Sequence, residues 1–289
     1  MSNPSPAPQA HLPDDVILSV QRLCKHFPIV TRGFTSRQTG LVKACDDISF
    51  DLKRGETLGV VGESGSGKTT LGRVILRATR PTSGHVLFAH RASREGREPP
   101  VDLATLPDAA LKALRPEMQM IFQDPFGSLN PRMTVQQIVA EPLVIHRMES
   151  GSALEDRVMQ MLKRVGIRPE YRTRYPHAFS GGQRQRIGIA RALVMRPSLV
   201  VADEAVSALD VSVQAQVVNL LAELQEEFGL TYLFVAHDLS IVRHLCSRVA
   251  VMLQGRVVEL EDTDRLFESP GHEYTRQLLA AVPDASSHR

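Results

Sequence analysis

Apolar and polar positions repeat at two different periods along this chain, and the periods sort it into two kinds of element. Short runs dense in Val, Ile and Leu lie at Thr57–Val61, Met118–Phe122, Leu199–Asp203, Tyr232–Ala236 and Arg248–Leu253. Such runs predict strands covered on both faces, as in a mostly parallel sheet. Helical periodicity at Leu71–Leu76, Gln136–Ile145, Glu155–Val165 and Arg186–Met195 alternates with them. Two further runs, Val16–Leu23 and His85–Phe88, stand outside that alternation and predict an antiparallel layer near the N-terminus. Gly255, between Val251–Gln254 and Arg256–Glu259, predicts a closing hairpin. The fold class expected is α/β.

From Arg132 to Phe179 the strand signal lapses, while Pro131, Pro142, Pro169 and Pro176 punctuate the stretch. It predicts a helical subdomain, about 132–179, inserted into the α/β core. The polar stretch Arg91–Pro107 predicts a surface loop. The first fifteen residues, MSNPSPAPQAHLPDD, predict a disordered lead-in. One domain is expected over 16–269, with a short C-terminal extension at 270–289.

Composition changes this picture little. The chain has 289 residues, 43% hydrophobic and 23% charged, which suits one large soluble domain with appendages. A net charge of +2, from 34 basic and 32 acidic residues, gives no electrostatic reason to expect a nucleic acid. The lead-in lacks the basic start and apolar stretch of a secretion signal. No run of about 18 apolar residues occurs, so a membrane role must be carried by a partner. Cys24, Cys45 and Cys246 lie far apart with no CxxC pair. All three read as buried free thiols in a reducing compartment.

Candidate chemistry is concentrated in a few segments. GESGSGKTT (Gly62, Glu63, Ser64, Gly65, Ser66, Gly67, Lys68, Thr69, Thr70) fits G-x-x-x-x-G-K-[ST] between a predicted strand and a predicted helix. Its glycines permit backbone conformations that turn successive N–H groups onto phosphate oxygens at a helix start. Lys68 would reach the β and γ phosphates, and Thr69 would ligate Mg²⁺. Asp203 ends a buried strand at the sheet edge where ligands sit, and would hold Mg²⁺ through water. Glu204 is placed to orient or deprotonate the attacking water. Standing alone, this acidic pair would read as a solvated strand end; the phosphate loop changes that.

Ser180-Gly181-Gly182-Gln183 precedes a helical pattern, with Ser180 a candidate N-cap. Taken alone it is a capped helix and nothing more. One phosphate loop already serves one side of a nucleotide, so a second phosphate-binding helix start makes most sense against a neighbouring subunit's γ-phosphate. Gln123 and His237 each follow a predicted strand and belong on the same sheet edge as Asp203. Gln123 could orient water or Mg²⁺, and His237 could hydrogen-bond the γ-phosphate.

In order and number these segments resemble the ATP-binding subunit of ABC transporters, over roughly Val16 to Pro283. The resemblance identifies Gly62–Thr70 as Walker A, Gln123 as the Q-loop and Ser180–Gln183 as the signature. It identifies Asp203 as the end of Walker B, SALD at Ser207–Asp210 as the D-loop and His237 as the switch histidine. It implies a P-loop NTPase of ABC ATPase type, binding ATP and Mg²⁺, with Asp210 beside the nucleotide and Phe27 stacking on adenine. Phe34 is the neighbouring alternative for that stacking role. FQDPFGSLNPRMTV, RYPHAFSGGQRQR, VSALDVSVQAQV and HEYTRQLLAAVP are similar to the oligopeptide/dipeptide/nickel importer branch. FPIVTRGFTSRQTGLVKACDDISF resembles the second ATPase of its peptide systems.

That resemblance implies a second ATPase subunit, as a heterodimer with a homodimer left open. It further implies two transmembrane permease subunits, an extracytoplasmic solute-binding protein, and a place at the cytoplasmic face of the membrane. The cargo implied is a di- or oligopeptide, with nickel or another small solute as the alternative. Ala205 and Phe179 stand where the family commonly has Pro and Leu, and leave the polar chemistry intact. The cysteine-bearing tail of many peptide-branch ATPases is missing, so no iron–sulfur cluster is expected. A DNA-repair ATPase of the superfamily is disfavoured by the absence of a heptad run in the roughly 110 residues between Lys68 and Ser180. The transporter-like stretches argue against a translation-linked one.

Overall fold

The computed structural model describes residues 12–31, 37–124 and 127–281. In chain order the strands are β1 (Val16–Thr31), β2 (Arg37–Lys53), β3 (Thr57–Val61), β4 (Ser83–Phe88), β5 (Val101–Asp102), β6 (Met118–Ile121), β7 (Leu199–Asp203), β8 (Thr231–Val235), β9 (Arg248–Leu253) and β10 (Arg256–Asp262). The helices are α1 (Lys68–Ile75), α2 (Arg91–Arg94), α3 (Asp108–Leu114), α4 (Val135–Ile145), α5 (Gly151–Arg164), α6 (Gly181–Leu193), α7 (Val211–Phe228), α8 (Leu239–Leu245), α9 (Thr263–Glu268) and α10 (Glu273–Ala280).

Two sheets form. A six-stranded sheet runs β10-β9-β3-β8-β7-β6, parallel except for β10, and a four-stranded antiparallel sheet runs β2-β1-β4-β5. Every residue of β3, β7 and β8 is buried, as expected of strands covered on both faces. Their side chains alternate between two apolar layers. Tyr232 and Phe234 face the layer built with α4 to α7, and Leu233 and Val235 face the layer shared with α1 and the antiparallel sheet. The helical insert lies between β6 and β7 in the chain.

Several sequence expectations change. β1 runs on from Val16 to Thr31 and pairs along its length with β2, for which no strand was predicted. Acidic and basic residues break the period-2 signal of β2, and register shifts along the pair further obscure it. Arg91–Pro107 is more than a surface loop: it contains α2 and β5, and Leu103 is fully buried. Pro142 does not punctuate the insert but lies inside α4, while Pro169 and Pro176 start 3-10 turns. Cys45 and Cys246 are buried free thiols, but Cys24 is only half-buried.

Candidate functional site

β3 leads directly into Gly62, and α1 begins at Lys68. Gly62 has φ 147° and Gly67 φ 107°. A Cβ at Gly62 would lie 2.2 Å from the Met252 carbonyl oxygen, and one at Gly67 would lie 2.0 Å from that of Ala44. Backbone conformation and backbone neighbours both exclude a side chain there. Gly67, the N-cap of α1, makes no side-chain cap, and the first-turn N–H groups of such a helix start are available to a ligand. A glycine-lined loop ending in an uncapped helix start fits a phosphate. Lys68 is buried and donates from Nζ to the carbonyls of Gly62 at 2.6 Å and Glu63 at 2.8 Å. Burial pushes its pKa down, against the pull of Glu204, Asp203 and Glu63.

Thr69 Oγ1 donates to Asp203 Oδ1 at 2.8 Å. Burial pushes the Asp203 carboxyl up, and the Thr69 hydrogen bond acts in the opposite direction. A buried carboxylate beside a hydroxyl is a hard oxygen donor set that suits Mg²⁺. Glu204 sits at φ 46°, with its N–H donated to Val235 at 2.9 Å. Its Oε2 accepts from Gln123 Nε2 at 2.7 Å and lies 3.7 Å from His237 Nδ1. The parallel order β3-β8-β7-β6 explains the convergence, because all four strands end on one edge. Gln123 therefore meets Glu204, not the Thr69–Asp203 pair.

Ser207, not singled out for a contact with Glu204, donates to the Glu204 carbonyl at 3.0 Å and lies 3.5 Å from Gln123 Nε2. Its only sequence signal was its place in SALD.

Ser180 caps α6 in a reciprocal box. Its Oγ accepts from Gln183 N at 3.3 Å, and Gln183 Oε1 accepts from Ser180 N at 3.1 Å. Gln183 is thus turned back onto the cap. The Ser180 hydroxyl accepts in this box, so its proton is free to be donated outward. A Cβ at Gly182 would lie 2.4 Å from Val213 Cγ1, so the absent side chain lets α6 approach α7 closely. Asp210 is exposed at the N-cap of α7 and makes no side-chain cap. Among the described residues no hydrogen bond joins Ser180–Gln183 to Lys68–Thr70.

Phe27 is 40% exposed, pairs with Val42 across β1 and β2, and carries Lys25 Nζ 4.8 Å above its ring. β2 passes the phosphate loop at Ala44, so Phe27 lies on a strand pair bordering that loop. Phe34 falls outside the described residues. Cys24, His26 and Asp46 offer ligand atoms within 4.8 Å of one another. The Asp46 carboxylate is already engaged by Arg256, Lys43 and His26. Arg256 above all pulls its pKa down to about 2, so this is an ion-pair cluster.

Tyr274 was also missed. Its hydroxyl accepts from Glu63 N at 3.0 Å, although 211 residues separate the two. No local pattern could signal that contact.

A family model described as ABC transporter matches residues 45–207. The chain is 51% identical over 270 residues to the oligopeptide transport ATP-binding protein AppF of Bacillus subtilis (strain 168), covering 93% of this chain and 79% of that one. It is 52% identical over 270 residues to OppF of the same organism, described in the same words, covering 92% and 82%. It is 50% identical over 275 residues to the glutathione import ATP-binding protein GsiA of Salmonella typhi, covering 94% of this chain but 42% of that protein. Among solved structures, the dimeric ATP-binding cassette MJ0796 in a post-hydrolysis state with ADP and Pi has a TM-score of 0.71 at 27% identity, covering 86% and 99%. cbiO1 from Clostridium perfringens, part of the transporter complex cbiONQ, has a TM-score of 0.71 at 29% identity, covering 93% and 96%.

Proposed function

Because the chain belongs to the ABC transporter family, as an ATP-binding subunit akin to those of oligopeptide permeases, we propose that it hydrolyses ATP between two protomers to drive import of di- or oligopeptides. The observation that carries this reading is the meeting of Lys68, Thr69, Asp203, Glu204, Gln123 and His237 at one sheet edge, while Ser180 heads a separate helix. Lys68 and the first-turn N–H groups of α1 bind the β and γ phosphates of one protomer's ATP, and the partner's Ser180-type cap donates to the γ-phosphate. Thr69 and Asp203 would hold Mg²⁺, which neutralises phosphate charge. Glu204, steadied by Gln123, orients the attacking water, with His237 against the γ-phosphate. Asp210 lies at the protomer junction and Phe27 against the adenine.

ATP contacts across the junction close the clamp, and hydrolysis removes them. Phe122 and Ile145 are 43% and 58% exposed along a groove beside α4, an apolar seat for a cytoplasmic helix of a membrane subunit. Among the described residues no helix is long and apolar enough to cross a membrane. The assembly is then this chain, a second ATPase subunit, two permease subunits and an extracytoplasmic binding protein, with the chain at the cytoplasmic face. The oligopeptide relatives favour peptide cargo over nickel, and the glutathione in the name of the third relative, chemically a tripeptide, leans the same way.

The test is uptake of a labelled oligopeptide by cells carrying the full system with Lys68→Ala. Uptake and binding of a fluorescent ATP analogue are both lost, the latter by at least tenfold. Wild-type affinity in that variant removes Lys68 from the site; peptide-free uptake of nickel by the wild type overturns the cargo.

A further inference from the structure

The C-terminal part of the chain grips the phosphate loop at two points three residues apart. Gly255, in the turn between β9 and β10, donates its N–H to the Ser66 carbonyl at 2.9 Å. Tyr274, in α10, accepts the Glu63 N–H at 3.0 Å, and the loop closes on itself between them through Ser66 N to the Glu63 carbonyl at 3.2 Å. Both outside partners lie beyond the stretch 45–207 that the family model matches.

Tyr274 is held firmly. It is 8% exposed and packed in the main apolar core, so its ring has little freedom to swing. The start of α10 is fixed by Glu259 of β10. One carboxylate oxygen accepts from Gly271 N at 2.6 Å, and the other accepts from His272 N at 3.0 Å and from the Thr275 hydroxyl. His272 Nδ1 in turn accepts from Tyr274 N at 3.1 Å. A single carboxylate thus orders three groups across the first turn of α10, and β10 connects both grips on the loop.

We infer that Tyr274 is a positioning residue for ATP binding: with Glu259 behind it, it fixes the Glu63 peptide and thereby sets the geometry of the phosphate cradle. An exposed loop rich in glycine has many conformations to lose when it wraps a triphosphate. Anchoring it beforehand at Glu63 and Ser66 lowers that loss, so the anchor acts on nucleotide affinity more than on the chemical step. The inference rests on the reading of Gly62–Thr70 as the phosphate cradle.

The experiment compares full-length wild type, Tyr274→Phe, Glu259→Gln, the double variant and Lys68→Ala. Binding of a fluorescent ATP analogue, steady-state hydrolysis in the assembled transporter and amide hydrogen exchange over Gly62–Thr70 are measured. Tyr274→Phe keeps the ring and removes only the acceptor. It raises the analogue Kd and the ATP KM about fivefold, the equivalent of one neutral hydrogen bond of about 1 kcal/mol. It leaves kcat within twofold, and exchange at Glu63 speeds up. Glu259→Gln moves KM in the same direction, and the double variant moves it by less than the product of the two single effects. Loss of Lys68→Ala binding with Tyr274→Phe at wild-type Kd and unchanged Glu63 exchange overturns the inference alone. Wild-type binding by Lys68→Ala overturns the cradle reading beneath it.

Discussion

Asp203 places a negative charge where little water reaches it, 3% exposed at the end of β7. Burial raises its folded-state pKa above the ordinary 3.8, so ionisation works against the fold. That penalty is absent in strong acid, grows as the pH climbs from 3.8 to the raised value, and is constant beyond it. Asp203→Asn removes the charge and still offers the Thr69 hydroxyl an acceptor. Nucleotide-free Asp203→Asn therefore melts above wild type at pH 7, with the gap closing as the solution is acidified. On the proposed function, hydrolysis by the same variant falls about a hundredfold or more, since the charge that would hold Mg²⁺ is lost. Equal melting midpoints at pH 7 would show that burial does not strain this carboxylate. At this scale the sequence marked its candidates for chemistry through their types: a lysine, a threonine and two adjacent carboxylates. It did not reveal the Gln123–Glu204 or Tyr274–Glu63 contacts, which depend on how distant strands and helices are brought together.

Among the described residues α4 and α6 begin with the same device, and a comparison of the two separates scaffold from proposed site. Thr134 with Gln137 starts α4, and Ser180 with Gln183 starts α6, each as a reciprocal cap. Replacing either capping residue by Ala removes one satisfied N–H and costs about 1 kcal/mol of stability. Urea unfolding of Thr134→Ala and Ser180→Ala thus shows similar losses. ATP hydrolysis in the assembled transporter separates them: Thr134→Ala stays within about twofold of wild type, while Ser180→Ala drops about a hundredfold for the lost donor. Similar activity in the two would reduce Ser180 to a cap. Legibility was uneven here too. β3, β7 and β8 were readable because burial on both faces leaves a bare apolar run. β2 was not, because Asp46, Asp47 and Lys43 serve ion pairs and a bulged pairing in place of clean alternation. Pro142 inside α4 misled for a related reason, since proline marks a boundary only where packing does not hold the helix together.

For the whole molecule, the proposed function makes dimerisation a requirement of turnover, since among the described residues no hydrogen bond joins the Ser180 cap to the chain's own Lys68 loop. Glu204→Gln keeps the hydrogen-bonding shape of the side chain and loses its charge and basicity. In the presence of ATP it forms a long-lived dimer by light scattering with its partner ATPase, and it hydrolyses at less than about 1% of the wild-type rate. With ADP the same mixture runs as separate subunits. Dimerisation without regard to nucleotide would break the link between γ-phosphate and closure. Turnover near the wild-type rate would relieve Glu204 of its role.

The left-handed backbone at Glu204 carries one more implication, for descent. A glutamate at φ 46° is held there against a preference of roughly 1–2 kcal/mol that glycine does not feel and that Asn or Asp feel less. In a gene copy spared from catalysis, drift from Glu204 toward Gly, Asn or Asp runs downhill in folding energy.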